Sequence, residues 1–210
     1  MNDDHVAKTI AVYDQIAADY ARKIDLYLPS PELEKFISLL PKEAKILDAG
    51  CGPGRDCDYF IQHGLRVVGV DLSEKLLDLA CQRVPKATFQ KQDLRTFHFP
   101  RESFNGIWAN ASLHHLDRKD VPDVLKTFFT ILKRQGILYI LVKKGTGEED
   151  VVESISSGLP RHYIYYSETE VKDMIKMAGF TIVDFYAYRE DRRRSGGSDL
   201  VWIASFSKKP

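Results

Sequence analysis

The stretch "ILDAGCGPGRD", Ile46 to Asp56, constrains this chain more than any other. A short apolar run ends on Asp48, and glycines follow at Gly50, Gly52 and Gly54 before a polar segment begins. Glycine inside a regular element costs about 0.5–1 kcal/mol relative to alanine. Glycines on alternate positions therefore mark a sharp bend that something approaches closely. A strand that runs into such a bend and on into a helix opens an α/β sheet whose ligands gather at the carboxyl ends of the strands.

The rest of the pattern repeats that unit. "KILDA" (45–49) and "RVVGVD" (66–71) read as strands, with "DCDYFIQHG" between them as a helix closed by Gly64. Ser73 can cap the helix "EKLLDLACQRV". "ATFQKQD" is a third strand, "FNGIWAN" (104–110) a fourth, and "VPDVLKTFFTILKR" a helix stopped near Gly136, before the apolar strand "ILYILVKK" (137–144). Strands alternating with helices pair in parallel, with helices on both faces.

The two ends of the chain differ from this. Ser167 and Glu170 form a capping box before "VKDMIKMAG", and the strands "FTIVDFYAY" and "DLVWIASF" then follow with only "REDRRRSGGS" between them. That order predicts an antiparallel hairpin at one edge of the sheet. Near the start, Val6, Ile10, Tyr13, Ala17 and Tyr20 make a helical stripe. Pro29 and Pro31 break it, and "ELEKFISLL" restarts a helix that ends at Pro41. Residues 145–160, "GTGEEDVVESISSGLP", read as a long, mobile polar connection. The expected organisation is a single domain over 1–210, with 1–44 as a helical lid on a doubly wound, Rossmann-like α/β core spanning 45–210.

Composition narrows the function. Acidic and basic residues balance at 30 each, which argues against a protein that holds nucleic acid by bulk charge. Cys51, Cys57 and Cys81 form no CxxC pair and the first residues are polar, so a reduced, cytoplasmic setting is expected. No apolar run approaches the roughly 20 residues of a membrane-spanning helix.

The glycine spacing then separates ligands. A nucleoside triphosphate loop needs GxxxxGK[ST], and no such lysine is present. A dinucleotide turn, GxGxxG, would put Arg55 where its third glycine belongs. The spacing D-x-G-x-G-x-G from Asp48 suits S-adenosylmethionine, whose amino-acid end is both carboxylate and ammonium and gains from backbone N–H donors beside an acid. Asp71, ending the second strand, can accept both ribose hydroxyls, and Asp93, ending the third, can accept from the adenine amino group. Leu72 and Leu94 can pack on the adenine faces. Each acid has a plainer role as a cap for a helix or turn. Their coincidence on three successive strand tips favours the cofactor.

These residues resemble the class I S-adenosylmethionine-dependent methyltransferases. The likeness runs through "VYDQIAADYARK", "ILDAGCGPGRD", "VVGVDLS", "QKQD", "FNGIWANASLHHL", "GILYILVKKG" and "YYSETEVKDMIKMAGF". The motifs "GCGPGRD", "GIWANASLHHL" and "LVKKG" are similar to a bacterial subgroup akin to the tellurite-resistance-type methyltransferases. The resemblance implies a seven-stranded sheet whose last strand is antiparallel. It implies Asp48, Gly50 and Gly52 at the methionine end of the cofactor, Asp71 at the ribose and Asp93 near the adenine. It further implies Tyr13 and Tyr20 closing over the site, with Arg55 and Asn110 beside it. One departure is "KRQG", where a proline and two glycines are common; Arg134 and Gln135 stand in a turn far from the cofactor.

Methyl transfer is an in-line displacement that depends mainly on alignment, with reacting atoms roughly 3–3.5 Å apart. The acceptor is expected beyond the fourth strand. Asn110 and His114 are the candidates for touching it or serving as base, and Trp108, His115, Lys143 and Arg161 are candidate substrate contacts. The plainer reading puts Trp108 in the core and has His114 and His115 cap or pack a loop. Lys143 and Arg161 would suit a carboxylate or phosphate. Adjacent His114 and His115 lack the spacing of a metal site, and no metal is expected. Tyr163, Tyr165 and Tyr166 could line a lid, and Arg192, Arg193 and Arg194 a solvated loop. A small-molecule acceptor is favoured. The alternatives are an RNA (tRNA) methyltransferase using the late basic loop, and a non-catalytic cofactor-binding protein.

Overall fold

The computed structural model describes residues 4–26, 30–189 and 200–210. Pro29, Arg192, Arg193 and Arg194 lie outside the described residues.

Seven strands make the main sheet: β1 (Lys45–Ala49), β2 (Arg66–Asp71), β3 (Thr88–Lys91), β4 (Phe104–Asn110), β5 (Leu132–Lys143), β8 (Thr181–Arg189) and β9 (Val201–Lys208). Their order is β3-β2-β1-β4-β5-β9-β8. β1 pairs in parallel with β2 and β4, while β9 lies antiparallel between β5 and β8. The late hairpin is therefore at the edge, as its connection implied, with its second strand on the inside. β1 sits where strand order reverses, the position at which such sheets bind ligands.

Period-two alternation splits the strands between two cores. Leu47 and Ala49 pack with α5 (Val121–Ile131) and α6 (Glu168–Met177), whose Val124, Leu125, Phe128, Val171 and Ile175 are buried. Ile46 packs on the other face with α2 (Pro31–Ser38) and α3 (Arg55–Gln62), around Phe36, Phe60 and Trp108. Burying one such aromatic side chain contributes about 1.5–3 kcal/mol, so both faces hold the sheet. α1 (His5–Ile24) starts on Asp4, whose carboxylate accepts from the Ala7 N–H, and α4 (Glu74–Arg83) starts on Ser73, which accepts from the Leu76 N–H. The Ser167–Glu170 capping box is formed at the start of α6.

Three expectations need correction. Pro31 does not interrupt a helix: it begins α2, where its missing N–H is an orphan in any case. β5 starts at Leu132 rather than 137, and α5 is correspondingly short. The cause is the chain near Lys209: the Gln135 N–H donates to the Lys209 carbonyl and the Lys209 N–H to the Gly136 carbonyl. Gln135 takes φ +63° there, so the "KRQG" turn forms without its usual glycines. Residues 145–160 are not an open connection. They hold β6 (Glu148–Val152) and a 3₁₀ turn (Ser154–Ser156), and they pair β6 antiparallel with β7 (Pro160–Ile164) in a separate two-stranded sheet. β6 is mostly exposed and carries no apolar alternation, which hides it in the sequence. Among the described residues no helix is long and apolar enough to cross a membrane.

Candidate active site

The turn after β1 uses its glycines on the protein itself. Gly50 has φ +86°, and a Cβ there would stand 2.4 Å from the Ser112 Cβ. A Cβ on Gly54 would lie 3.1 Å from the Ala80 Cβ, so this glycine lets α3 approach α4. Only Gly52 faces open space, with nothing within 4 Å of a Cβ. The turn's amides are also engaged. Gly50 and Cys51 donate to the Val70 carbonyl, and Gly52 donates to the Asp71 carboxylate at 2.8 Å. The expectation of bare N–H donors awaiting a ligand is corrected on this point: the strand tips of β1 and β2 are laced together by those groups.

Beside the turn lies a cavity of about 280 Å³ whose wall includes Tyr13, Gly50, Gly52, Arg55, Asn110 and His114. Lys143 and Arg161 line its other end. It thus joins the glycine turn to the tips of β4 and β5 and to the β6–β7 hairpin, with α1 alongside.

An acid that sequence reasoning passed over organises the first end. Asp56, in the first turn of α3, is buried and lines the cavity. Its Oδ2 accepts from Trp108 Nε1 at 2.9 Å and Asn110 Nδ2 at 2.8 Å, and its Oδ1 from Arg55 Nε at 2.8 Å. Trp108 and Asn110 are two apart on β4, hence on one face. Burial pushes the Asp56 carboxyl up, but Arg55 beside it and the donors on β4 outweigh burial and hold it below its ordinary value. Asp48 behaves in the opposite way. It is buried, accepts from the Cys57 thiol at 3.1 Å, and is pushed well up by burial and then by the Asp56 charge. Asp48, expected at the methionine end, stands behind the turn, outside the cavity wall; Asp56 is the acid in the wall.

Asp71 ends β2 with its carboxylate taking the N–H groups of Gly52 and Ser73. Burial raises it against those bonds. Ser73 Oγ in turn donates to Asp14 on α1 at 2.6 Å. Asp93 lies two residues beyond β3 and forms a forked pair with Arg95, which also spans to Asp4. Leu72 and Leu94 both pack against the α5-side core. These four residues are outside the wall of the main cavity.

The second end is a cluster of charged and aromatic side chains. Lys143 and Arg161 are each 3% exposed. Glu153 joins them: Oε1 accepts from Lys143 Nζ at 2.8 Å, and Oε2 accepts from Arg161 Nη2 and from Tyr163 Oη at 2.7 Å. Lys143 Nζ lies 3.3 Å from the Tyr163 ring centroid, and the Arg161 guanidinium faces Tyr13, Tyr20 and Tyr163 at 5.1, 6.0 and 5.3 Å. Arg161 Nη1 donates to Tyr13 Oη at 2.7 Å. Tyr13 Oη is 3.1 Å from His115 Nε2, and His115 Nδ1 is 2.8 Å from the His162 carbonyl. A carbonyl only accepts, so Nδ1 carries the proton and Nε2 accepts from the tyrosine. Burial and Arg161 push His115 down to about 3, which keeps that ring neutral. His114 sits on the 3₁₀ turn Leu113–His115, against Tyr163 and Trp202, and is driven well below its ordinary value by burial. Its Nδ1 is buried with no hydrogen-bond partner.

The structure thus brings together Tyr13, Tyr20, Gly50, Gly52, Arg55, Asn110, His114, Lys143 and Arg161 around one cavity. It does not bring Trp108 there. That ring is fully buried, stacked on Tyr139 at 3.9 Å, and reaches the site only through Asp56. Asn110, read as a candidate base, spends its amide on Asp56. Tyr166 is buried in the α5-side core, away from the cavity. Glu153 and Trp202 were missed, and so was the role of Tyr163 beside the cations. The signal for Glu153 was slight: it is one of four acids in a polar segment, with the cations that need it on β5 and β7.

Comparison with known proteins points the same way as the fold. Residues 46–136 match the family described as "Methyltransferase domain". A phosphoethanolamine N-methyltransferase of Arabidopsis thaliana is 28% identical over 162 residues, which is 75% of this chain and 29% of that protein. A trans-aconitate 2-methyltransferase of Variovorax paradoxus is 33% identical over 103 residues, which is 48% of this chain and 39% of that protein. The matches thus span well under half the length of these curated relatives. The solved structure of a TehB-like S-adenosylmethionine-dependent methyltransferase from Corynebacterium glutamicum superposes with a TM-score of 0.71 at 21% identity, covering 95% of this chain and all of that one.

Proposed function

We propose that this chain is a class I S-adenosylmethionine-dependent methyltransferase that moves the cofactor's methyl group onto a small-molecule acceptor by in-line displacement. The observation that carries the reading is one continuous cavity that runs from the glycine turn at the tip of β1 to buried cations and aromatic rings on β5 and β7. Its turn end fits the amino-acid end of the cofactor. Arg55 and the ionised Asp56 supply opposite charges for a zwitterion, Gly52 leaves open space, and the Asp71 carboxylate at the neighbouring strand tip suits ribose hydroxyls. When bound, the cofactor supplies a methyl carbon activated by a sulfonium, so the protein's task is chiefly alignment.

The remaining residues then have defined work. Asn110 orients Asp56, and Tyr13 and Tyr20 wall the site from α1, the helix read as part of a lid. His114 presents a neutral ring to the cavity; burial and the cations near it make that ring a weak base, so its work is contact with the acceptor and not removal of a proton. A small acceptor is supported by the enclosing side chains and by the names of relatives that act on phosphoethanolamine and trans-aconitate. Lys143 and Arg161 are buried inside the cavity wall and do not form a basic surface, so they give no support to an RNA acceptor.

Calorimetry with S-adenosylhomocysteine tests the cofactor site, and labelled-methyl transfer onto fractionated cell extract tests the acceptor. Binding followed by label in the small-metabolite fraction is the expected result. Absence of binding to folded protein ends the reading, and label in RNA redirects it.

A further inference from the structure

The cluster at the far end of the cavity is oddly distributed. Lys143 and Arg161 are almost wholly buried, whereas the Glu153 side chain that joins them is 26% exposed. Taking a cation out of water costs several kcal/mol, recovered only with good partners. A merely structural pair here would be as well served by apolar side chains, so buried cations kept in a cavity wall point to use. The cations stand on the long strand β5 and on β7. Their carboxylate partner stands at the mouth of the 3₁₀ turn that joins β6 to β7, on the small sheet. The turn is pinned to α1 from outside: Lys23 donates to the Ser154 carbonyl at 2.7 Å and to Ser157 Oγ at 2.9 Å, and Ser157 bonds Asp19. Arg161 Nε remains buried without a hydrogen-bond partner, although Nη1 and Nη2 are both engaged.

Resting on the methyltransferase reading, we infer that the acceptor carries an oxyanion, a carboxylate or a phosphate, which binds Lys143, Arg161 and Tyr163 in the place that the Glu153 carboxylate occupies in the structure. Glu153 keeps the cations paired until the acceptor arrives and then gives way toward solvent. The three donors converge on two carboxylate oxygens, a geometry that any planar or tetrahedral oxyanion reproduces. Tyr13, Tyr20 and Tyr163 shield that spot from water and strengthen its electrostatics. The acceptor's anion would thus be anchored at one end of the cavity while its reacting atom reaches back toward the glycine turn. Glu153 also favours anions over neutral molecules, because a neutral molecule does not replace the negative charge that Arg161 loses when Glu153 departs.

The test is calorimetric titration of the S-adenosylhomocysteine-loaded protein with inorganic phosphate and, separately, with malonate, for wild type and Glu153→Gln. The variant is expected to bind at least one of the two roughly ten-fold more tightly, a gain of about 1.4 kcal/mol. Adding Arg161→Met should remove that gain. A gain for phosphate alone assigns a phosphorylated acceptor, and a gain for malonate alone a carboxylic one. Glu153→Ala, checked by circular dichroism, replaces the glutamine variant should that fail to fold. Equal or weaker binding of both anions by the folded variant overturns the inference. A parallel titration with ethanolamine that binds wild type and not the variant also overturns it, by making Glu153 a contact for an amine. S-adenosylhomocysteine binding is read separately: if it binds and the anions do not respond, only this inference fails. If it does not bind, the methyltransferase reading fails, and the anion titration stands on the unliganded protein.

Discussion

The two ends of the cavity are built by different means. At the proposed cofactor end a main-chain turn sets the wall, with Arg55 and Asp56 beside it: Gly50 and Cys51 donate to the Val70 carbonyl, Gly52 donates to the Asp71 carboxylate, and Ser112 fills the space that a Gly50 side chain would need. At the acceptor end the wall is long side chains, with Lys143, Glu153, Arg161 and Tyr163 drawn from β5, a turn and β7. A main-chain wall varies little with side-chain substitution and suits a ligand common to many relatives. A side-chain wall changes with single substitutions and suits a ligand peculiar to this chain. One fold can in this way keep a fixed donor and vary its acceptor.

Substitutions test that contrast. The largest effect is expected for Gly50→Ala, which combines φ +86° with a Cβ 2.4 Å from Ser112. It should lower unfolding free energy by about 2–3 kcal/mol, read by denaturant titration. Gly52→Ala, with no neighbour in reach, should cost less stability and more S-adenosylhomocysteine affinity. Equal behaviour of the two variants would break the distinction between a packing glycine and a ligand-facing one.

Asp48→Asn comes next. Burial raises the Asp48 carboxyl well above its ordinary value, so the folded chain holds that proton more tightly than the unfolded chain does. The resulting stability is complete below the unfolded value, near 3.9, and is lost as pH rises through the folded one. The asparagine variant lacks this loss. Its advantage over wild type should grow to about 1 kcal/mol or more on moving from pH 4 toward pH 8. A constant difference across that range would show that Asp48 does not titrate as its burial dictates.

Ser73→Ala should have the smallest effect, about 1 kcal/mol, by removing the α4 cap and the bond to Asp14. Because Asp14 is on α1, a larger drop in cofactor affinity than in stability would show that this bond also holds α1 over the site.

The same contrast explains what could be read in advance. β1, β2 and β4 have the bounds read from their residues, because apolar runs closed by an acid, a glycine or an asparagine are local signals. The glycine turn was legible for the same reason, although two of its glycines make room for Ser112 and Ala80. Asp56 looked like an ordinary acid in the first turn of a helix. Only the pairing of β1 with β4 brings Trp108 and Asn110 to it. Glu153 was hidden in a polar segment whose strand is exposed, and its partners lie 10 and 8 residues away across a hairpin that nothing local announced. Long-range polar convergence leaves no periodic trace.

The strand order has a further consequence for assembly. Because β9 lies between β5 and β8, β8 has no place to dock until β9 has been made and inserted. Chain growth and sheet growth are therefore out of step at this edge: β8 must wait, unpaired, for residues 201–208. Cutting the chain before Val201 would remove one strand and strand another, so the integrity of this margin depends on its final segment far more than its length suggests.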